Sequence, residues 1–117
     1  MHVEVLNTNC EEVMGGFTAQ IDKEHYEIEI FGNKKLLREN LKEYTHLLFH
    51  ELVHCRQFYR GKLFYNRAGI LHFDGEPIDF RITEAEQPCE IEAEATARVL
   101  NFLFWHVDAK SLIHKAN

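Results

Sequence analysis

Asn40-Leu41-Lys42-Glu43-Tyr44-Thr45-His46-Leu47-Leu48-Phe49-His50-Glu51-Leu52-Val53-His54-Cys55-Arg56-Gln57-Phe58-Tyr59-Arg60-Gly61 is the stretch that decides the fold. Tyr44, Leu47, Leu48, Leu52, Cys55 and Tyr59 recur at steps of three and four, the period of one helix face. Asn40 followed three residues later by Glu43 has the form of a capping pair, and Gly61 stands where a left-handed C-terminal residue is wanted. The spacing predicts a helix over 41–60.

Upstream, Val3–Leu6 reads as a short strand and Gly15-Gly16 as a break. Phe17–Ile21 alternates apolar with polar, and Tyr26, Ile28 and Ile30 alternate with Glu27, Glu29 and Phe31. With Asp22-Lys23-Glu24 as the turn, residues 17–31 read as an antiparallel hairpin, apolar on one face and acidic on the other. Downstream, residues 62–80 carry short apolar runs and the turn signal Asp74-Gly75, so they read as hairpin or structured loop. From Pro88 a second helix is expected to run to about Val107, since proline is tolerated in a first turn and the glutamates that follow suit the positive end of the dipole. Its later part, Val99–Trp105, is apolar nearly all round and is expected in the core, while 108–117 is expected to fray. The fold class is therefore α+β: a small antiparallel sheet packed on the 41–60 helix, with a second long C-terminal helix crossing behind.

The chain has 117 residues, 45% of them hydrophobic, which is enough to bury a core in one domain over 1–117 without disulfides. With 19 acidic against 13 basic side chains the net charge is -6, so the surface repels phosphate backbones and anionic lipid, and neither nucleic acid nor a membrane is expected as a partner. Cys10, Cys55 and Cys89 form an odd count without CxxC spacing and read as thiols in a reducing compartment. There is no signal-like start and no apolar run of spanning length, so the expected localisation is cytoplasmic. Oligomeric state is not legible.

Inside the first helix lies His50-Glu51-Leu52-Val53-His54, an HExxH motif. Residues at i and i+4 project from one helix face about a turn apart, the separation two imidazoles need to hold one zinc ion. Glu51 lies about 100° round the helix from His50, so its carboxylate sits beside such an ion rather than on it and can take a proton from a water there. With 8 histidines in the chain, roughly 0.07 matches are expected by chance, so the motif needs a partner to support it. The best candidate is in Pro88-Cys89-Glu90-Ile91-Glu92-Ala93-Glu94-Ala95. Glu90 and Glu94 share a face, so one can bind the metal while the other accepts a hydrogen bond from the free nitrogen of a ligating histidine. Glu92 points about 160° away from Glu94 and is expected in solvent.

At these residues the chain resembles the HExxH zinc metallopeptidases of the gluzincin type, in which a glutamate from a second helix completes a His-His-Glu site. Glu90-Ile91-Glu92-Ala93-Glu94 matches the ligand and the alanine of that pattern and carries Glu94 where the group has Asp or Asn. His50–Gln57 together with Pro88–Ala93 also looks like small, largely uncharacterised metallopeptidase-like proteins of phages and bacteria. The resemblance implies a minimal zincin-like fold, zinc at one ion per chain on His50, His54 and Glu90, Glu94 behind a histidine, and hydrolysis of a peptide or protein substrate with Glu51 as general base. It names no transition-state-stabilising residue, for which Tyr59, Tyr65 and His72 are candidates, and an edge strand such as Tyr26–Phe31 is expected to hold extended substrate.

Plainer roles stand beside these. His50 and His54 read otherwise as polar residues on an exposed helix face, and Glu90 as an ordinary acidic first turn, with Glu92 or Glu94 then the ligand. His46 shares the face of His50 and reads as a supporting or surface residue, and Cys55 and Cys89, next to motif residues but turned away, read as core. Two rivals to a peptidase remain: a non-catalytic zinc-binding regulatory or interaction protein, because a chain this short leaves little room for a second lobe, and a zinc-stabilised structural domain.

Overall fold

The computed structural model describes the backbone of residues 1–116 and the side chains of residues 1–106. The expected hairpin forms from β2 (Gly15–Gln20) and β3 (His25–Gly32), paired antiparallel with Phe17 opposite Glu29 and Gln20 opposite Tyr26. Its turn is closed by the Asp22 carboxylate, which accepts from the backbone N–H groups of Glu24 and His25. Along β3 the alternation sorts side chains by face, with Tyr26, Ile28 and Ile30 at 1% exposure or less.

The first strand, β1 (His2–Asn9), is longer than Val3–Leu6 and pairs parallel to β3, so this sheet is mixed and not antiparallel as expected. Its order is β1-β3-β2. The Cys10–Met14 connection passes across the end of β3, where the Cys10 N–H donates to the Gly32 carbonyl. The hairpin's second strand thus occupies the centre, and the consecutive strands β1 and β2 become the two edges. Tyr26–Phe31 is therefore no edge strand.

A short helix not expected from the sequence, α1 (Lys34–Glu39), follows, with the Asn33 side chain accepting from the N–H groups of Lys35 and Leu36. Asn40 then closes α1 and opens the next helix: its side-chain amide donates back to the Leu36 carbonyl, and the expected capping pair with Glu43 is not made through side chains. That helix, α2 (Leu41–Tyr59), matches the predicted span and ends just before Gly61. Its apolar face, Tyr44, Leu47, Leu48, Leu52, Cys55 and Phe58, packs on Tyr26, Ile28 and Ile30. Full burial of each large apolar side chain here is worth about 1.5–3 kcal/mol.

Residues 62–80 form a second, antiparallel sheet, β4 (Leu63–Tyr65), β5 (Leu71–Phe73) and β6 (Glu76–Pro77), with Asp74 and Gly75 turning at positive φ. Leu63, Phe73 and Ile78 close with Cys89 into a smaller core. A 3-10 turn, Glu84–Glu86, leads into α3 (Pro88–Ala116), which runs past the expected end at Val107 and through most of the tail expected to fray, there being no glycine or proline to stop it; Asn117 lies outside the described residues.

α3 packs against the flank of α2 that faces away from the first sheet, through Cys89, Ala93 and Ala97, the two alanines fully buried. Small residues at four-residue steps let the backbones approach closely. The Val99–Trp105 segment is not core: Val99, Phe102, Leu103 and Phe104 are exposed. Only one flank of α3 meets α2, and no further layer covers the others among the described residues. Thr45, Asn101 and Trp105 pin the far end of the helix pair, Thr45 donating to Asn101 and accepting from the Trp105 indole. The class is α+β, and α2 lies between a sheet and a helix.

Candidate metal centre

The helical period of α2 sends Leu48, Leu52 and Cys55 to the sheet and His46, His50, His54 and Gln57 to α3. On α3, Glu90 and Glu94 stand one turn apart facing them. His50 Nε2 lies 2.8 Å from Glu90 Oε2, His54 Nε2 lies 3.0 Å from Glu90 Oε1, and the two Nε2 atoms are 3.2 Å apart. One ligand atom from each of the three residues lies within 4.8 Å of the others, so the group can hold a metal ion. A tetrahedral ion at zinc's bond lengths of ~2.0–2.1 Å needs donor separations of about 3.3 Å. The triangle has to open by only a few tenths of an ångström, and two imidazoles with a carboxylate are a donor set zinc takes.

The three groups shift one another's proton affinity. Burial pushes the Glu90 carboxyl up, but contacts with His50 and His54 outweigh it and hold it at about 2. His50 is raised by its hydrogen bond to Glu90 against burial, and His54, lowered by burial, is raised on balance by the same carboxylate.

Glu94 places Oε2 at 3.1 Å from His50 Nδ1 and Oε1 at 2.9 Å from His46 Nε2, and Arg98 Nε donates to it at 3.3 Å. His46 is thus a supporting residue. On the other histidine, Nδ1 faces Gln57 Oε1 at 2.8 Å. No reading of the sequence singled out Gln57; the signal available was its position three residues after His54 on the same helix flank. Glu92, expected in solvent, accepts from Gln57 Nε2 at 3.1 Å and from Lys62 Nζ at 2.6 Å. It does point away from Glu94, but Lys62, just before β4, reaches it there.

Glu51 turns toward the sheet edge. It is 6% exposed, its Oε1 accepts from Thr18 Oγ1 at 2.9 Å, and its backbone carbonyl accepts from the same hydroxyl. A Cβ on Gly16 would come within 2.8 Å of Glu51 Cγ and 3.0 Å of Oε2, so β2 can lie this close only with glycine there. Burial pushes the Glu51 carboxyl up, opposed by His54 and the Thr18 hydrogen bond.

No protein-family model, curated protein or solved structure matches the chain. Beside the ligand group runs a cleft of about 660 Å³ lined by His50, Glu84, Glu90, Ile91, Glu94 and Arg98 among others. Tyr59, Tyr65 and His72 do not line it: Tyr65 stacks on Phe58, and His72 stacks on Phe64. Cys55 and Cys89 are buried free thiols, each pushed up to about 11 by burial, in keeping with core packing. No helix among the described residues is long and apolar enough to cross a membrane.

Proposed function

We propose that the chain is a zinc-dependent peptidase on a minimal zincin-like scaffold, with His50, His54 and Glu90 as ligands and Glu51 as general base. The observation that carries this reading is the convergence of both Nε2 atoms and the Glu90 carboxylate from two helices, with Glu51 adjacent in sequence yet outside the ligand triangle. A zinc ion held there supplies Lewis acidity toward the scissile carbonyl and the attacking water.

The residues divide the remaining work. Glu51, hydrogen-bonded by Thr18 and shielded from bulk water, has its proton affinity raised by burial, which suits a group that takes a proton from water and returns it to the leaving amine. Glu94 keeps the His50 ring oriented through Nδ1. Extended substrate is held by backbone pairing on β2, the sheet edge that touches Glu51, in place of Tyr26–Phe31.

The test is a pair of measurements on one variant. Purified protein should hold about one zinc per chain, and Glu51→Gln should keep it while hydrolysis of an unfolded-protein mixture, read by mass spectrometry with a chelator control, falls ~10²–10⁴-fold. A second reading, a zinc-holding interaction protein without turnover, is favoured by one observation: Glu51 is covered by Gly16 and Thr18 rather than open to the cleft. Zinc-loaded wild type and Glu51→Gln that are equally inactive on every substrate would decide for it.

A further inference from the structure

Gln57 is 2% exposed, with its Oε1 2.8 Å from His54 Nδ1. That contact by itself fixes no hydrogen, because a ring nitrogen can donate or accept and an amide can present oxygen or NH2. The far end of the amide fixes it. Gln57 Nε2 lies 3.1 Å from the Cys89 carbonyl oxygen and 3.1 Å from Glu92 Oε1, and both are acceptors without a proton to give. Turned over, the amide would set its oxygen against a carbonyl oxygen and a carboxylate oxygen at 3.1 Å, losing both hydrogen bonds and opposing like partial charges. Only the NH2 group fits there, so the oxygen faces His54 and the ring must donate from Nδ1. Glu92 is in turn fastened by Lys62 Nζ at 2.6 Å.

We propose that the Gln57–Glu92–Lys62 chain holds the His54 ring with a proton on Nδ1, so that Nε2, which faces Glu90 Oε1 and His50, is the nitrogen that gives up its proton to a metal ion. Gln57 is a positioning residue, and Glu92, which touches no ligand, sets metal affinity through the orientation of a neutral amide. The two histidines are then prepared by different chemistry. His50 Nδ1 meets the Glu94 carboxylate directly, whereas His54 meets a carbonyl whose direction is imposed from behind. The consequence for affinity rests on the zinc-site reading; the position of the proton does not.

Two readouts test this in Gln57→Leu and Glu92→Leu. In metal-free protein with ¹⁵N-labelled histidine at alkaline pH, NMR should find the His54 proton on Nδ1 in wild type and partly on Nε2 in both variants. Zinc affinity, from competition with a chromophoric chelator, should fall about 10–100-fold for Gln57→Leu and less for Glu92→Leu, with the unfolding midpoint of metal-free Glu92→Leu close to wild type. A wild-type His54 protonated on Nε2, or zinc affinity unchanged in both variants, overturns the proposal. Should Gln57→Leu fail to fold, Glu92→Leu, altered on a half-exposed helix surface, decides by the same readouts. Should wild type bind no zinc, the peptidase reading falls and the NMR measurement alone upholds or overturns the lock.

Discussion

Toward the sheet, α2 presents Leu47, Leu48, Leu52 and Cys55 to Tyr26, Ile28 and Ile30; toward α3 it presents His46, His50, His54 and Gln57 to Glu90, Glu92 and Glu94. The first contact removes hydrocarbon from water and is stabilising whatever the protein does. The second buries charge and hydrogen-bonding groups between helices, and no buried side-chain polar atom among the described residues lacks a partner. A polar contact of this kind contributes little net stability, because desolvation offsets most of what the pairs return. One helix therefore has an apolar flank that holds the fold and a polar flank that contributes little to it, and the two should respond differently to substitution.

The largest effect is expected on the sheet flank. Ile30 is fully buried at the centre of the core, so Ile30→Ala should cost about 2–5 kcal/mol, a large share of the roughly 5–15 kcal/mol that holds a domain of this size. Urea unfolding of the metal-free protein measures it. Zinc content of the fraction that remains folded should match wild type. A loss below ~1 kcal/mol would mean that the hydrocarbon flank does not carry the fold and would erase the contrast.

On the α3 flank the decisive effect should be on metal. His54→Ala and Glu90→Ala each remove one of the three proposed ligands, so both should lose zinc, while the metal-free proteins are destabilised by about 1–3 kcal/mol through the polar partners left unpaired. In wild type, zinc at 100 times its dissociation constant should raise stability by about 2.7 kcal/mol, an increment that Glu51→Gln keeps and the two ligand variants lack. Should Glu51→Gln lose the increment, the glutamate belongs to the ligand set and its assignment as base fails.

The sheet flank was legible because alternation in 17–31 and the three-four step in 44–59 are local signals, each contained in the element it describes. The order of the sheet was not, since alternation in Val3–Leu6 says which residues share a face but not which neighbour takes the strand, and a parallel pairing leaves no turn signature. α1 escaped because six residues are too few for periodicity, leaving Asn33 as the sole cue. That His50 and His54 share one face of α2, and Glu90 and Glu94 one face of α3, could be read because helical register is arithmetic. Thr18 and the true surroundings of Glu92 could not, because their contacts join residues some thirty positions apart; Gln57 stands in register with His54, but the partners that orient its amide lie on α3.

The smallest effect is expected where apolar composition misled. Val99–Trp105 reads as core by content, yet apolar content does not say whether a partner surface exists, and Phe102 is 69% exposed. Its one ring contact among the described residues is a stack with His106 one turn on, centroids 5.8 Å apart, a surface pair worth a few tenths of a kcal/mol. Phe102→Ser should therefore change the unfolding free energy by no more than about 0.5 kcal/mol, against several for Ile30→Ala, although phenylalanine is the larger side chain. Urea unfolding at two protein concentrations gives the answer. A loss above ~2 kcal/mol that grows with concentration would mean that a second copy covers this face in solution, and α3 would then have a buried flank on either side.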